Sequence, residues 1–199
     1  MFKFARTECP DYLATCWERL GLQFQRAKTR NPSYKFQWYA PFRYEETLQR
    51  LATMTNNHCA FCDGGDLGAV SRRTIEHFRP KSDFQTIAYQ WENLYLCCDQ
   101  CQSQKLEDFD DGLLVGDQSD YEFQTYFMVD YAAGTIEPNP GATLAEQARA
   151  RVTIDLYGLN LDVRNQSRKR ELKRYQQRIP EEDLLEDFSY RYYLADAEE

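Results

Sequence analysis

Apolar residues recur at helical spacing near the start of the chain. Leu13, Cys16, Trp17, Leu20 and Phe24 repeat every three or four positions until Asn31-Pro32 stops the pattern. This predicts a helix from about Asp11 to Arg30. A second helix is predicted after Pro41, running through Tyr44, Leu48 and Leu51 to Met54. Further on the period changes: Phe123 to Tyr131 alternates as a strand does, and Ala133-Gly134 can turn it into a short partner at Thr135 to Glu137 before Pro138 and Pro140. That reads as a hairpin. Thr143-Leu144-Ala145-Glu146 has the form of a capping box, followed by an inward stripe of Ala145, Ala148, Val152 and Leu156 and closed by Gly158. A last helix should start near Asn160 or Asp162 and run to Arg178, stopped by Pro180.

With 199 residues, 42% of them apolar and 15% aromatic, the chain can build one proper core, and wholesale disorder is excluded. The pattern divides this single domain into an N-terminal helical segment (1–55), a cysteine-bearing core (56–110), and a hairpin with C-terminal helices packing on it (111–199). No stretch approaches the roughly 20 apolar residues of a membrane span. The charged opening Met1-Phe2-Lys3-Phe4-Ala5-Arg6 is followed by no apolar run of signal-peptide length, so a cytoplasmic protein without membrane contact is expected.

Thirty-two acids against 24 Lys and Arg argue against a protein that coats nucleic acid through its net charge. The balance is uneven along the chain. Residues 1–50 carry nine basic and five acidic side chains, Leu106 to Thr125 seven acidic and none basic, Arg164 to Arg178 seven basic against Glu171, and Glu181 to Glu199 eight acidic against Arg191. Such runs are ordinarily solvated faces. The alternative is that the basic helix follows a phosphate backbone and an acidic run docks on a basic partner.

Seven cysteines without an export signal should be thiols or metal ligands. Cys59-Ala-Phe-Cys62 and Cys98-Asp-Gln-Cys101 are two C-x2-C knuckles separated by 35 residues, and four thiolates in two short-spaced pairs are what tetrahedral zinc requires. A redox role is the main rival for either pair alone. Gly64 and Gly65 supply a tight turn after the first knuckle, and Cys97 could replace Cys98 at a less favoured spacing. Cys9 and Cys16 read as ordinary thiols, His58 as structural, and Trp17, Trp38, Phe42, Trp91 and Tyr95 as core, with no spacing that sets out a base-stacking platform.

Between the knuckles lie Thr74-Ile75-Glu76-His77-Phe78-Arg79-Pro80-Lys81 and Trp91-Glu92-Asn93-Leu94-Tyr95-Leu96, with Gln102 and Lys105 after the second knuckle. A strand ending in an acid and a histidine, a basic turn, a second strand bearing Asn and a helix opening with a polar amide resemble the HNH nuclease motif in its zinc-stapled form. The fold this implies is α+β: a ββα-metal core stapled by four cysteines, embedded in a mostly helical shell with a small hairpin. The wording Ile75-Glu76-His77-Phe78-Arg79-Pro80-Lys81-Ser82 with Tyr89-Gln90-Trp91-Glu92-Asn93-Leu94 is similar in particular to the HNH subunits of Septu-type and retron-associated anti-phage systems. In that family the nuclease works with an ABC-like ATPase subunit, so DNA and such a partner are expected.

His77 suits the general base, because an imidazole titrates near neutral pH. Two successive strand residues point to opposite faces, so Glu76 and His77 can share a site only if the strand ends or twists there. By resemblance Glu76 is the acid that would hold Mg²⁺ or Mn²⁺, with Gln102 standing where such motifs have His or Asn and offering an amide oxygen. Asn93 would fix the loop carrying His77, and Arg79, Lys81 and Lys105 would meet phosphates. A second reading is a non-catalytic zinc-ribbon-like binding subunit, or a pseudo-nuclease disabled at Gln102.

Overall fold

The computed structural model describes residues 1–195 and 197. The architecture is α+β. Its N-terminal part is helical: α1 (Asp11–Ala14), α2 (Trp17–Arg30) and α3 (Tyr44–Met54). The single helix expected from Asp11 to Arg30 is therefore two. The chain breaks at Thr15–Cys16, although Cys16 stays buried in the core with Leu13 and Leu20, its thiol 3.6 Å from the Pro41 carbonyl.

Two strands follow, β1 (Arg73–His77) and β2 (Leu94–Cys98), antiparallel and in the register Arg73↔Cys98 through His77↔Leu94. Every residue of β2 is buried, since α3 packs on one side of it and α4 (Asp99–Lys105) follows directly and packs on both strands. The hairpin is shorter than expected. Phe123–Tyr126 forms a helical turn, α5, and only β3 (Phe127–Asp130) and β4 (Thr135–Pro138) pair. Phe123 stacks on Tyr192, so its burial reflects a distant ring rather than a sheet face. Gly134 turns the hairpin at φ +77.

α6 (Leu144–Leu156) starts on the capping box, with Thr143 and Glu146 bonded reciprocally, and ends at Gly158, which sits at φ +56. α7 (Asp162–Gln176) is close to its expected bounds. α8 (Arg191–Ala195) has no counterpart in the sequence pattern. It is placed by tertiary contact: the Arg191 backbone N–H and guanidinium both bond the buried Asp63 carboxylate, the former at 2.6 Å. Of the acidic C-terminal run, Asp196, Glu198 and Glu199 lie outside the described residues. None of the described helices is long and apolar enough to cross a membrane.

α7 is only in part the solvated face that a charge run suggests, and its two buried arginines are not available to a phosphate backbone. Arg164 and Arg168 are buried, Arg168 completely. The Arg168 guanidinium donates to the carbonyls of Gly134 and Leu159 at 2.7 and 2.9 Å, and to the side-chain oxygens of Asn160 and Asn165. A five-donor fork can satisfy four acceptors at once, and Arg168 ties hairpin, α6 and α7 together. Lys173 and Arg170 remain on the exposed side.

Candidate functional site

The four knuckle cysteines come together. Sγ atoms of Cys59, Cys62, Cys98 and Cys101 all lie within 4.8 Å of one another, all four residues are buried, and none forms a disulfide. Four thiolates at the Zn–S length of about 2.3 Å stand about 3.8 Å apart in a tetrahedron. The Cys62–Cys98 separation is 3.7 Å, so the cage fits an ion such as zinc. The first knuckle is folded by Cys59 N–H to Gly64 O and Asp63 N–H to Cys59 O, both 2.9 Å. Ala60 N–H donates to Leu96 O and holds that turn against β2. The second knuckle opens α4, and Cys98 Sγ accepts from the Cys101 N–H.

The tight turn is not made by the two glycines. Asp63 takes the left-handed conformation, φ 58, and Arg191 holds its side chain there. Gly64 and Gly65 serve close approach instead, since a Cβ at 65 would stand 3.0 Å from His58 Nε2. Cys97 stays outside the cage: burial pushes its thiol well up, whereas hydrogen bonding from Cys101 takes the Cys98 thiol down to about 5. Without an ion Cys101 is itself pushed up by burial, and a bound cation would deprotonate all its thiol ligands. His58 bonds the carbonyls of Asn56 and Phe188 and takes no part in the cage.

Arg164, absent from the expected site residues, lies against the cage. Its Nη2 donates to Cys101 Sγ at 3.1 Å. Burial works against its charge, but the Cys101, Cys62 and Cys98 sulfurs outweigh that and hold the guanidinium protonated. Four thiolates around a dication carry a net double negative charge, and one buried guanidinium offsets half of it. The sequence signal was only a basic residue at the head of a basic helix.

At the other end of the strand ladder a cavity of about 300 Å³ is lined by Phe36, Trp38, Glu76, His77, Lys81, Gln102 and Glu107, among others. Cys98 pairs with Arg73 and His77 with Leu94, so the two ends are separated by four residues, or about 13 Å of strand. Because β1 ends at His77, both Glu76 and His77 line this one space. His77 Nε2 bonds the Ala88 carbonyl at 2.9 Å. A carbonyl only accepts, so Nε2 carries the hydrogen and Nδ1 is the atom left to take a proton. The ring is stacked on Trp38 (5.3 Å, 8°) and meets the edge of Phe36 (5.1 Å, 86°). Burial first, then Lys81, takes His77 down to about 3, which keeps the imidazole neutral.

Burial pushes the Glu76 carboxyl up, and Lys105 opposes the shift. Lys105 is fully buried, with Nζ 3.0 Å from both the Glu76 carboxylate and the His77 carbonyl. The sequence places this side chain on phosphate; the fold turns it inward, where the last turn of α4 meets β1. Gln102 also approaches the Glu76 carboxylate from α4. Asn93 clamps the loop after β1, accepting from Arg79 N–H at 2.7 Å and donating to the carbonyls of Arg79 and Ile87.

Arg79 and Lys81 do face outward, but acids from the segment after α4 already meet them. Lys81 Nζ lies 2.6 Å from Glu107, and an Arg79 Nη1 lies 3.5 Å from Asp111. Glu107 thus forms part of the cavity wall, a residue the sequence reading passed over as one of an acidic run. Burial opposes its ionisation, yet Lys81 holds its carboxyl below the usual range.

Among the described residues, the four cysteines are the one group in which three or more His, Cys, Asp or Glu ligand atoms converge. Glu76 and the Gln102 amide offer two oxygens beside the cavity, the first of them already paired with Lys105. No protein-family model matches the chain, and no curated protein matches it.

Proposed function

We propose that the chain is a metal-dependent nuclease of HNH type that hydrolyses DNA phosphodiester bonds, acting as the effector subunit of an anti-phage defence complex with an ATPase partner. The observation that carries the chemical part is the convergence of Glu76, His77 and Gln102 on one cavity, with His77 Nδ1 left to accept a proton. The defence setting and the ATPase rest on the sequence resemblance alone.

In this reading the Ala88 carbonyl and Trp38 orient the imidazole, and His77 takes the proton of an attacking water. A phosphate entering the cavity brings negative charge beside the ring, which favours the imidazolium and raises His77 from its low value in the free protein. Glu76 and Gln102 would hold the divalent cation, which when bound neutralises charge developing on the departing oxygen. Lys81 and Arg79 would receive the flanking phosphates once Glu107 and Asp111 yield them. Water attack with the 3′ oxygen leaving gives 5′-phosphate and 3′-hydroxyl ends.

The buried Lys105–Glu76 pair favours a second reading, a zinc-stapled binding subunit without catalysis. A carboxylate already neutralised by an ammonium has less to offer a cation. Plasmid nicking with Mg²⁺ or Mn²⁺, with and without an ABC-like ATPase of the proposed kind, separates the two. Cleavage by the parent that His77→Ala reduces at least about a hundredfold, with zinc content and melting temperature kept, supports the nuclease. A parent that never nicks, or a variant that nicks equally well, rejects it.

A further inference from the structure

α2 turns a row of arginines away from the core. Arg19, Arg26 and Arg30 are exposed and fall within roughly 40° of one another around the helix axis, at intervals of about 10 and about 6 Å along it. None of the three has an ion-pair or hydrogen-bond partner among the described residues. By contrast, Arg43, which precedes α3, and Arg50 within it both meet Glu46. In a chain of net charge −8, three unpaired guanidinium groups on one stripe are a local exception.

That stripe lines one wall of a groove of about 690 Å³, whose other wall is Tyr34 and Tyr39. The tyrosine hydroxyls bond each other at 2.8 Å, and Tyr39 stacks on Tyr89, so the aromatic wall is held in place. Leu22 and Ala27 add apolar surface, and Glu18 is the one acid in the lining. The groove has the size of a site that encloses a small ligand or a short length of single strand, too small to seat a duplex. Cations in a row along an aromatic and apolar wall are what a flexible polyanion with flat bases needs.

We propose that this groove is a binding tract for single-stranded nucleic acid, with the α2 arginines on the phosphates and Tyr34 and Tyr39 against the bases. The nuclease reading supplies the polymer's identity. Continuity supports it as well: Phe36 and Trp38, on the same 34–39 segment, wall the His77 cavity, so that segment borders both spaces. A strand whose scissile phosphate sits by His77 has its neighbouring nucleotides led towards α2.

The test is fluorescence anisotropy of a short labelled oligothymidine in buffer free of divalent cations, with a duplex and a polyglutamate peptide as comparators. The parent is expected to hold the single strand more tightly than either. Arg26→Glu with Arg30→Glu, both exposed, should weaken it at least about tenfold, with the melting temperature checked alongside, and flatten the slope of log affinity against log salt by about 1.4, the value for two lost phosphate contacts on a single strand. Unchanged affinity and slope overturn the tract, as does equally tight binding of polyglutamate, which would make it a site for acidic peptides. A parent that nicks plasmid yet ignores the charge reversals sinks the tract alone. A charge-sensitive tract in a parent that never nicks sinks the nuclease alone.

Discussion

Glu107 shows how one side chain can set the accessibility of a site it does not chemically serve. Its ion pair with Lys81 is partly exposed, and such pairs are worth about 0.2–1 kcal/mol. A phosphate can therefore displace it, but has to compete. Glu107→Gln removes the competitor and leaves the backbone alone, so oligonucleotide affinity should rise about two- to fivefold. Anisotropy titrations of the two proteins check this, and a fall in affinity would mean that Glu107 positions Lys81 instead of screening it. Lys105 is the opposite case. Lys105→Met strands the Glu76 carboxylate in a buried place, and breaking such a pair costs about 3–5 kcal/mol. Denaturant melts should register that loss at neutral pH. Lowering the pH should recover part of it, because Glu76, already pushed up by burial, then protonates and its charge disappears.

At the scale of elements, the two knuckles and the ladder between them form one mechanical unit. Cys62→Ser or Cys101→Ser removes one of four sulfurs, and zinc binding in small structural sites contributes on the order of 10 kcal/mol of folding free energy. Either variant should fail to retain stoichiometric zinc and should melt as the chelator-stripped parent does; a melt insensitive to verified metal removal would contradict this. The element scale is also where the sequence was most legible. The capping box, the cysteine pairs and α3 were readable because each is a local code, a spacing or a side chain bonded three residues away. The break at Thr15–Cys16 and the helical turn at Phe123–Tyr126 were not, because no local code marks them and their contacts, a carbonyl at Pro41 and a ring at Tyr192, lie far along the chain. In the candidate site the same division holds. His77 and Asn93 stood out by residue type and order, while the inward turns of Lys105 and Arg164 depend on acceptors 28 to 63 residues away, and that of Arg168 on the hairpin carbonyl at Gly134 as well as on nearer groups.

The whole molecule is closed by its C-terminal segment. Tyr190 N–H donates to the Asp63 carbonyl at 2.7 Å, and Arg191 pairs with the Asp63 carboxylate, both groups buried. α8 thereby sits on the left-handed residue that completes the first knuckle. Asp63→Asn leaves a guanidinium without its charge partner. For a chain of this size the roughly 3–5 kcal/mol penalty should lower the melting temperature by about 8–15 °C. Zinc should also leave faster, as a chromogenic chelator would report. Equal release rates would show that the clasp stabilises the fold without reaching the cage.

The ladder of β1 and β2 is joined by the long excursion 78–93 instead of by a tight turn, so at that end its register rests on Asn93, whose backbone and side chain bond Phe78 and Arg79. Sliding one strand by a single position would send Glu76 to the opposite side of the ribbon. At the other end a shared ion held by the four cysteines would act as a dowel through two planks. In a chain stripped of that ion, the Asn93 end alone would be left to keep the two strands in step.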